Sequence, residues 1–101
     1  MSVAYKQLVS EDRRLVILRF LAESNGYDAN SSIVQSVLNQ FGHRPSRDLV
    51  HTELDWLQEQ GLVTNSKVTS VVVSKLTQRG LDVATGNAIV SGVKPPSPDD
   101  Q

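Results

Sequence analysis

Apolar positions in the first part of the chain recur at steps of three and four: Val3, Tyr5, Leu8 and Val9, then Leu15, Val16, Leu18, Phe20 and Leu21. Charges gather between the two groups at Glu11, Asp12, Arg13 and Arg14. The spacing predicts helix over residues 2–23, and in two parts. Ser10 followed by Glu11 and Asp12 has the form of an N-cap with acids in the first turn. The turns before Ser10 either continue this helix or bend away from it. Asn25 and Gly26 then offer the left-handed residue that ends helices, so residues 24–29 read as a connection rather than a strand.

Asn30 or Ser31 can cap a second helix whose apolar positions, Ile33, Val34, Val37, Leu38 and Phe41, form one stripe to be buried. Gly42 stops it. His43, Arg44 and Pro45 make a tight link, because the residue before proline is pushed out of helical geometry. Ser46 caps a third helix over residues 47–60, with Leu49, Val50, Leu54, Trp56 and Leu57 as its apolar set and Gly61 as its terminator. Two helices joined by so short a turn form a helix-turn-helix candidate. Leu54 and Leu57 are expected to meet Leu15, Leu18, Ile33 and Leu38 in the core.

Beyond Gly61 the pattern changes to short β-branched runs, Leu62 to Thr64 and Val68 to Val73, separated by Asn65, Ser66 and Lys67. This reads as a β-hairpin with a polar tip. Thr77 can cap a short last helix through Leu81, Val83 and Ala84, ended by Gly86. The fold class is therefore mainly α with a small β-hairpin. Residues 1–90 form the domain, residues 1–9 being an extra N-terminal helix or dimer arm. Residues 91–101, with three of the chain's four prolines and little to bury, read as a disordered tail.

Composition narrows the function more than the fold. The chain has 101 residues, enough for one domain and too few for a two-lobed enzyme. Ten basic and eleven acidic residues give a net charge of -1, so no whole-molecule field draws the protein to polyanions. Cysteine is absent, which removes disulfides, thiolate metal sites and thiol nucleophiles together. No apolar run is long enough for a membrane span and no signal-peptide pattern opens the chain, so a cytoplasmic location is expected.

The order helix, helix, turn, helix, hairpin, short helix resembles that of winged helix-turn-helix domains. Two segments carry the likeness. Leu54-Asp55-Trp56-Leu57-Gln58-Glu59-Gln60-Gly61-Leu62-Val63 is similar to the end of a recognition helix passing into the first wing strand. Lys75-Leu76-Thr77-Gln78-Arg79-Gly80 resembles the segment that closes the wing and opens the last helix in the same group. Length, the Glu11 to Arg14 stretch and the proline-rich end resemble small winged-helix proteins of Mu-like phages and prophages, of the kind labelled arsenic-repressor-like regulators. The resemblance implies a three-helix core, a two-stranded wing and a DNA-binding transcriptional role.

In such domains the third helix enters the major groove and basic wing residues touch phosphate. The DNA-binding candidates are Arg44, Ser46, Arg47 and His51 at the start of the helix, Thr52 further along it, and Lys67 at the wing tip. Arg47 can pair with guanine, and Ser46 or its amide can hold a phosphate. Charge counting opposes this. Residues 47–60 hold one basic residue, Arg47, against Asp48, Glu53, Asp55 and Glu59, and DNA repels such a helix unless the acids turn away or accept from cytosine. For Arg44 and Arg47, phosphate contact and plain solvation stand level. His51 fits surface or partner contact better than base readout. Arg13, Arg14 and Arg19 are expected to pair with Glu11, Asp12 and Glu23 on their own helix.

An enzyme needs convergent polar groups, and the sequence offers only His43 and His51, separated by Pro45, with no motif around either. No metal, cofactor or catalytic residue is expected. Two readings remain. The first is a dimeric regulator that binds double-stranded DNA, with Val3, Tyr5, Leu8 and Val9 as the dimer or partner contact. The alternative is a winged-helix module that binds a protein partner in phage regulation or assembly without reading DNA.

Overall fold

The computed structural model describes residues 3–98, the side chain of Val3 excepted. Helix α1, Val3–Glu23, runs without interruption. Ser10 does not cap it: its hydroxyl accepts from Arg13 Nη2 at 3.2 Å inside the helix. No glycine or proline lies between residues 3 and 23, so nothing forces a break there. Ile17, Leu18 and Leu21 point into the core with Leu15.

A 3-10 turn, Asn25–Tyr27, follows, and Asp28–Asn30 then forms strand β1 where a connection was expected. Helix α2, Ser31–Gln40, is capped by Asn30, whose Oδ1 accepts from Ile33 N at 2.9 Å. Its stripe is divided. Val34 and Leu38 are buried, whereas Ile33 and Phe41, expected in the core, are among the most exposed apolar side chains. Ile33 is turned about 100° from Val34 around the helix, and Phe41, the C-cap beyond the last turn, borders an open groove between α1 and α2.

Helix α3, Arg47–Glu59, begins at Ser46, whose Oγ accepts from Leu49 N at 3.0 Å. Gly61, at φ +76°, allows the chain to reverse, and Leu62 N donates back to Leu57 O at 3.0 Å. Strands β2, Val63–Val68, and β3, Val71–Leu76, pair antiparallel from Val63 opposite Leu76 to Val68 opposite Val71. The hairpin turns at Thr69 and Ser70 and not at the polar triplet 65–67. Asn65 is held in the ladder instead: its Nδ2 donates to Leu54 O at 2.9 Å, and Ser74 Oγ donates to its Oδ1 at 2.6 Å.

Strand β1 pairs with the other side of β3, Asp28 opposite Lys75 and Asn30 opposite Val73, so the sheet has three strands in the order β1-β3-β2. The expected hairpin is thus two-thirds of the sheet. Thr77 caps α4, Gln78–Ala84, accepting from Gly80 N at 3.0 Å while donating to Gly61 O at 2.7 Å.

The segment after residue 90 corrects the expected tail. Val90 and Val93 are buried in the core cluster, Lys94 N donates to Glu11 O at 3.2 Å, and Gly92 O accepts from Arg14 Nη1 at 2.9 Å. Two small apolar side chains, one backbone–backbone bond and one bond from an arginine side chain hold this strap along α1, so the folded unit extends past residue 90. Residues 99–101 lie outside the described part.

Candidate nucleic-acid interface

The cap at Ser46 and the left-handed Arg44 (φ +48°) set the angle between α2 and α3. Pro45 between them is buried, and its carbonyl accepts from Gln35 Nε2 at 3.1 Å. A non-glycine residue at positive φ costs on the order of 1 kcal/mol and persists only where its surroundings hold it. Val50, Leu54 and Leu57 bury one face of α3. The opposite face presents Asp48, Thr52, Asp55 and Glu59 to solvent, and Arg47 is exposed at the first turn of the helix.

Of the residues expected at DNA, Arg44, Arg47 and Thr52 are exposed around the start and first turns of α3. Lys67 is exposed as well, but within β2 opposite Val72, one pair short of the turn. The Ser46 hydroxyl is engaged in its cap. His51 is half-buried, its Nε2 lying 3.1 Å from Ser31 Oγ, which also accepts from Val72 N at 3.0 Å. The histidine therefore joins α2, α3 and β3 behind the exposed face. On α1, Tyr5 and Leu8 are exposed and Val9 half-buried, while the side chain of Val3 lies outside the described residues.

Glu53 is not on the outward face. Its carboxylate accepts from Arg13 Nε at 2.8 Å and from Arg14 Nε at 3.0 Å, with its side chain 3% exposed. The expected pairing of Arg13 and Arg14 with Glu11, Asp12 and Glu23 is replaced by this contact across helices. Arg14 also lies 4.0 Å over the Trp56 ring, so its guanidinium touches a carboxylate, a carbonyl and an aromatic face. One signal for this was present in the sequence: Glu53 falls in helical phase with Val50 and Leu57 and so belongs to the buried side of α3. Its withdrawal leaves Asp48, Asp55 and Glu59 as the exposed acids of α3 against one exposed base, Arg47, at the start of the helix.

Asp12, on the outer side of α1, bonds His43 Nε2 at 2.8 Å and Lys94 Nζ at 3.4 Å. His43 and His51 thus serve separate contacts. Among the described residues no group of three or more His, Asp or Glu stands close enough to hold a metal ion, and no helix is long and apolar enough to cross a membrane.

A helix-turn-helix whose second helix turns a polar face outward, followed by a β-hairpin closing against the same core, defines a winged helix-turn-helix protein. The chain is 52% identical over 91 residues to the uncharacterized protein gp26 of Escherichia phage Mu, spanning 90% of this chain and 94% of the relative. It belongs to the family of that protein. An uncharacterized protein of Haemophilus influenzae is 44% identical over 98 residues, covering 96% of this chain and 95% of its own. No protein-family model matches the sequence.

Among solved structures, a mutant of ZitR from Lactococcus lactis superposes with a TM-score of 0.55 at 29% identity, over 71% of this chain and 46% of that one. Its apo form gives 0.57 at 26%, over 80% and 57%. The chain spans about half the length of ZitR.

Proposed function

We propose that the protein is a phage- or prophage-type transcriptional regulator, not an enzyme, that binds double-stranded DNA as a dimer with α3 at the major groove. The observation that carries this reading is the exposed α3 face, reached from a capped start and flanked by Arg44, Arg47 and Lys67. Burial of Glu53 between two arginines removes one of the four acids that oppose it. Likeness to the winged-helix regulator ZitR supports it further.

In this reading Arg47 and Thr52 meet base edges, Arg44 and Lys67 meet phosphate, and the free first-turn amides after Ser46 donate to a phosphate. His51 fixes the helix through Ser31. Kinship with arsenic-repressor-like regulators belongs to the same proposal and assigns no metal. The exposed Asp48, Asp55 and Glu59 favour a second reading, a protein-binding module without DNA readout.

A salt-titrated shift assay on a mixed duplex pool separates the two. Two phosphate contacts per protomer, from Arg44 and Lys67, give a dimer a log-log salt slope of about -4. Arg47→Ala lowers specific binding by about 1–3 kcal/mol. Absence of any shift at low salt overturns the DNA reading.

A further inference from the structure

Helix α1 has two apolar faces. One is buried through Ile17, Leu18 and Leu21. At 3.6 residues per turn, Tyr5, Leu8, Val16 and Phe20 fall together on the other face. Toward its C-terminal half that face borders a groove of about 470 Å³ between α1 and α2, walled by Val16, Phe20, Val37 and Phe41 and rimmed by Arg19 and Glu23. Toward its N-terminal half, residues 4–8 are all exposed, so Tyr5 and Leu8 continue this face into solvent while Lys6 and Gln7 border the strap at Ser91 and Gly92. Leu8 is 65% exposed and Phe41 66%.

We infer that this face binds a second copy of the chain in antiparallel register, the N-terminal turns of each copy lying in the α1–α2 groove of the other. The proposal rests on the dimer clause of the functional reading and specifies its surface. Charge selects both occupant and direction. The projecting end carries Lys6 and the groove end carries Glu23, about 25 Å apart along one helix and so unable to meet within a chain. Antiparallel pairing places Lys6 beside Glu23 of the other copy at both ends, brings Leu8 onto the Phe20 and Phe41 wall, and opposes the two helix dipoles favourably. Parallel pairing sets Lys6 against Lys6 and leaves the groove empty. A seam about 30 Å long lies at the small end of stable interfaces, so a reversible dimer in the micromolar range follows.

Sedimentation velocity on the full chain, from about 1 to 300 μM, tests this against the micromolar expectation. The wild type is expected to pass from monomer to dimer. Leu8→Glu and Phe41→Gln, both at exposed positions, each weaken the dimer by more than about tenfold while circular dichroism melts stay unchanged. Lys6→Glu and Glu23→Lys each weaken it by about fivefold, and the double exchange restores it to within about twofold.

A wild type that stays monomeric at 300 μM overturns both the surface and the dimer clause. A dimer indifferent to Leu8→Glu and Phe41→Gln overturns the surface and leaves the dimer clause standing. Failure of the double exchange to restore association overturns the antiparallel register. Duplex binding is read separately through Arg47.

Discussion

The Glu53 carboxylate of α3 accepts from Arg13 Nε of α1 at 2.8 Å, across forty residues of sequence. With Arg14 on its other oxygen, one anion serves two cations in a nearly dry site. Removing one member of such a buried set leaves uncompensated charge, which costs about 3–5 kcal/mol. Glu53→Gln keeps the shape and deletes the charge, so urea unfolding is expected to show a loss of about that size, a large share of the stability of a domain this small. A loss below about 1 kcal/mol would mean that the arginines find water or other partners when the acid is gone.

Gly80 gives a second expectation. A Cβ built there would sit 2.1 Å from Leu62 O and 2.6 Å from Leu76 Cδ1, where α4 crosses the start of the sheet. Backbone cannot yield as a flexible side chain can. Gly80→Ala is therefore expected to cost at least about 3 kcal/mol or to prevent folding, despite the better helix propensity of alanine. Unfolding within about 1 kcal/mol of wild type would show that α4 is free to shift away from Leu62.

The strap along α1 is tested through Trp56, the chain's one tryptophan. Gly92, at φ +99°, lies against the ring, and a Cβ there would come within 2.7 Å of Cζ2. Gly92→Ala is expected to lift the strap, shift Trp56 emission to the red and lower stability by about 1–3 kcal/mol. Ending the chain after Ile89 removes Val90 and Val93 and is expected to cost at least about 3 kcal/mol. Unchanged emission in both variants would mean that the strap does not shield the ring.

What local chemistry decides was legible before the structure. Asn30, Ser46 and Thr77 cap where a short polar side chain precedes an apolar period, and the hairpin appears where short β-branched runs replace the helical period. What distant partners decide was not. Asp28, Ala29 and Asn30 carry no β pattern and become strand because β3 offers an open edge. Periodicity in α2 showed that Ile33 and Phe41 share an apolar character with Val34 and Leu38, but which side the fold covers depends on where α1 lies. The expected turn at Asn65 failed because its amide finds better partners in Leu54 O and Ser74. At the candidate site, the exposed basic residues could be named from sequence. The removal of Glu53 from the acidic count was signalled only by its phase with Val50 and Leu57, and its partners, two arginines brought in by another helix, were not readable.

The remaining acids on α3 decide the last prediction. Asp55 is exposed on the same face as Asp48 and Thr52, so a duplex groove in contact with that face feels its charge. Asp55→Asn removes the repulsion while keeping size and shape. Non-specific duplex affinity, followed by fluorescence anisotropy, is expected to rise by about three- to tenfold at 50 mM salt, and the gain shrinks by 200 mM as screening takes over. If affinity instead falls for only a subset of duplexes, Asp55 is accepting from cytosine N4 and contributes specificity. An unchanged curve at both salt concentrations removes α3 from the interface and leaves its acids to a protein partner.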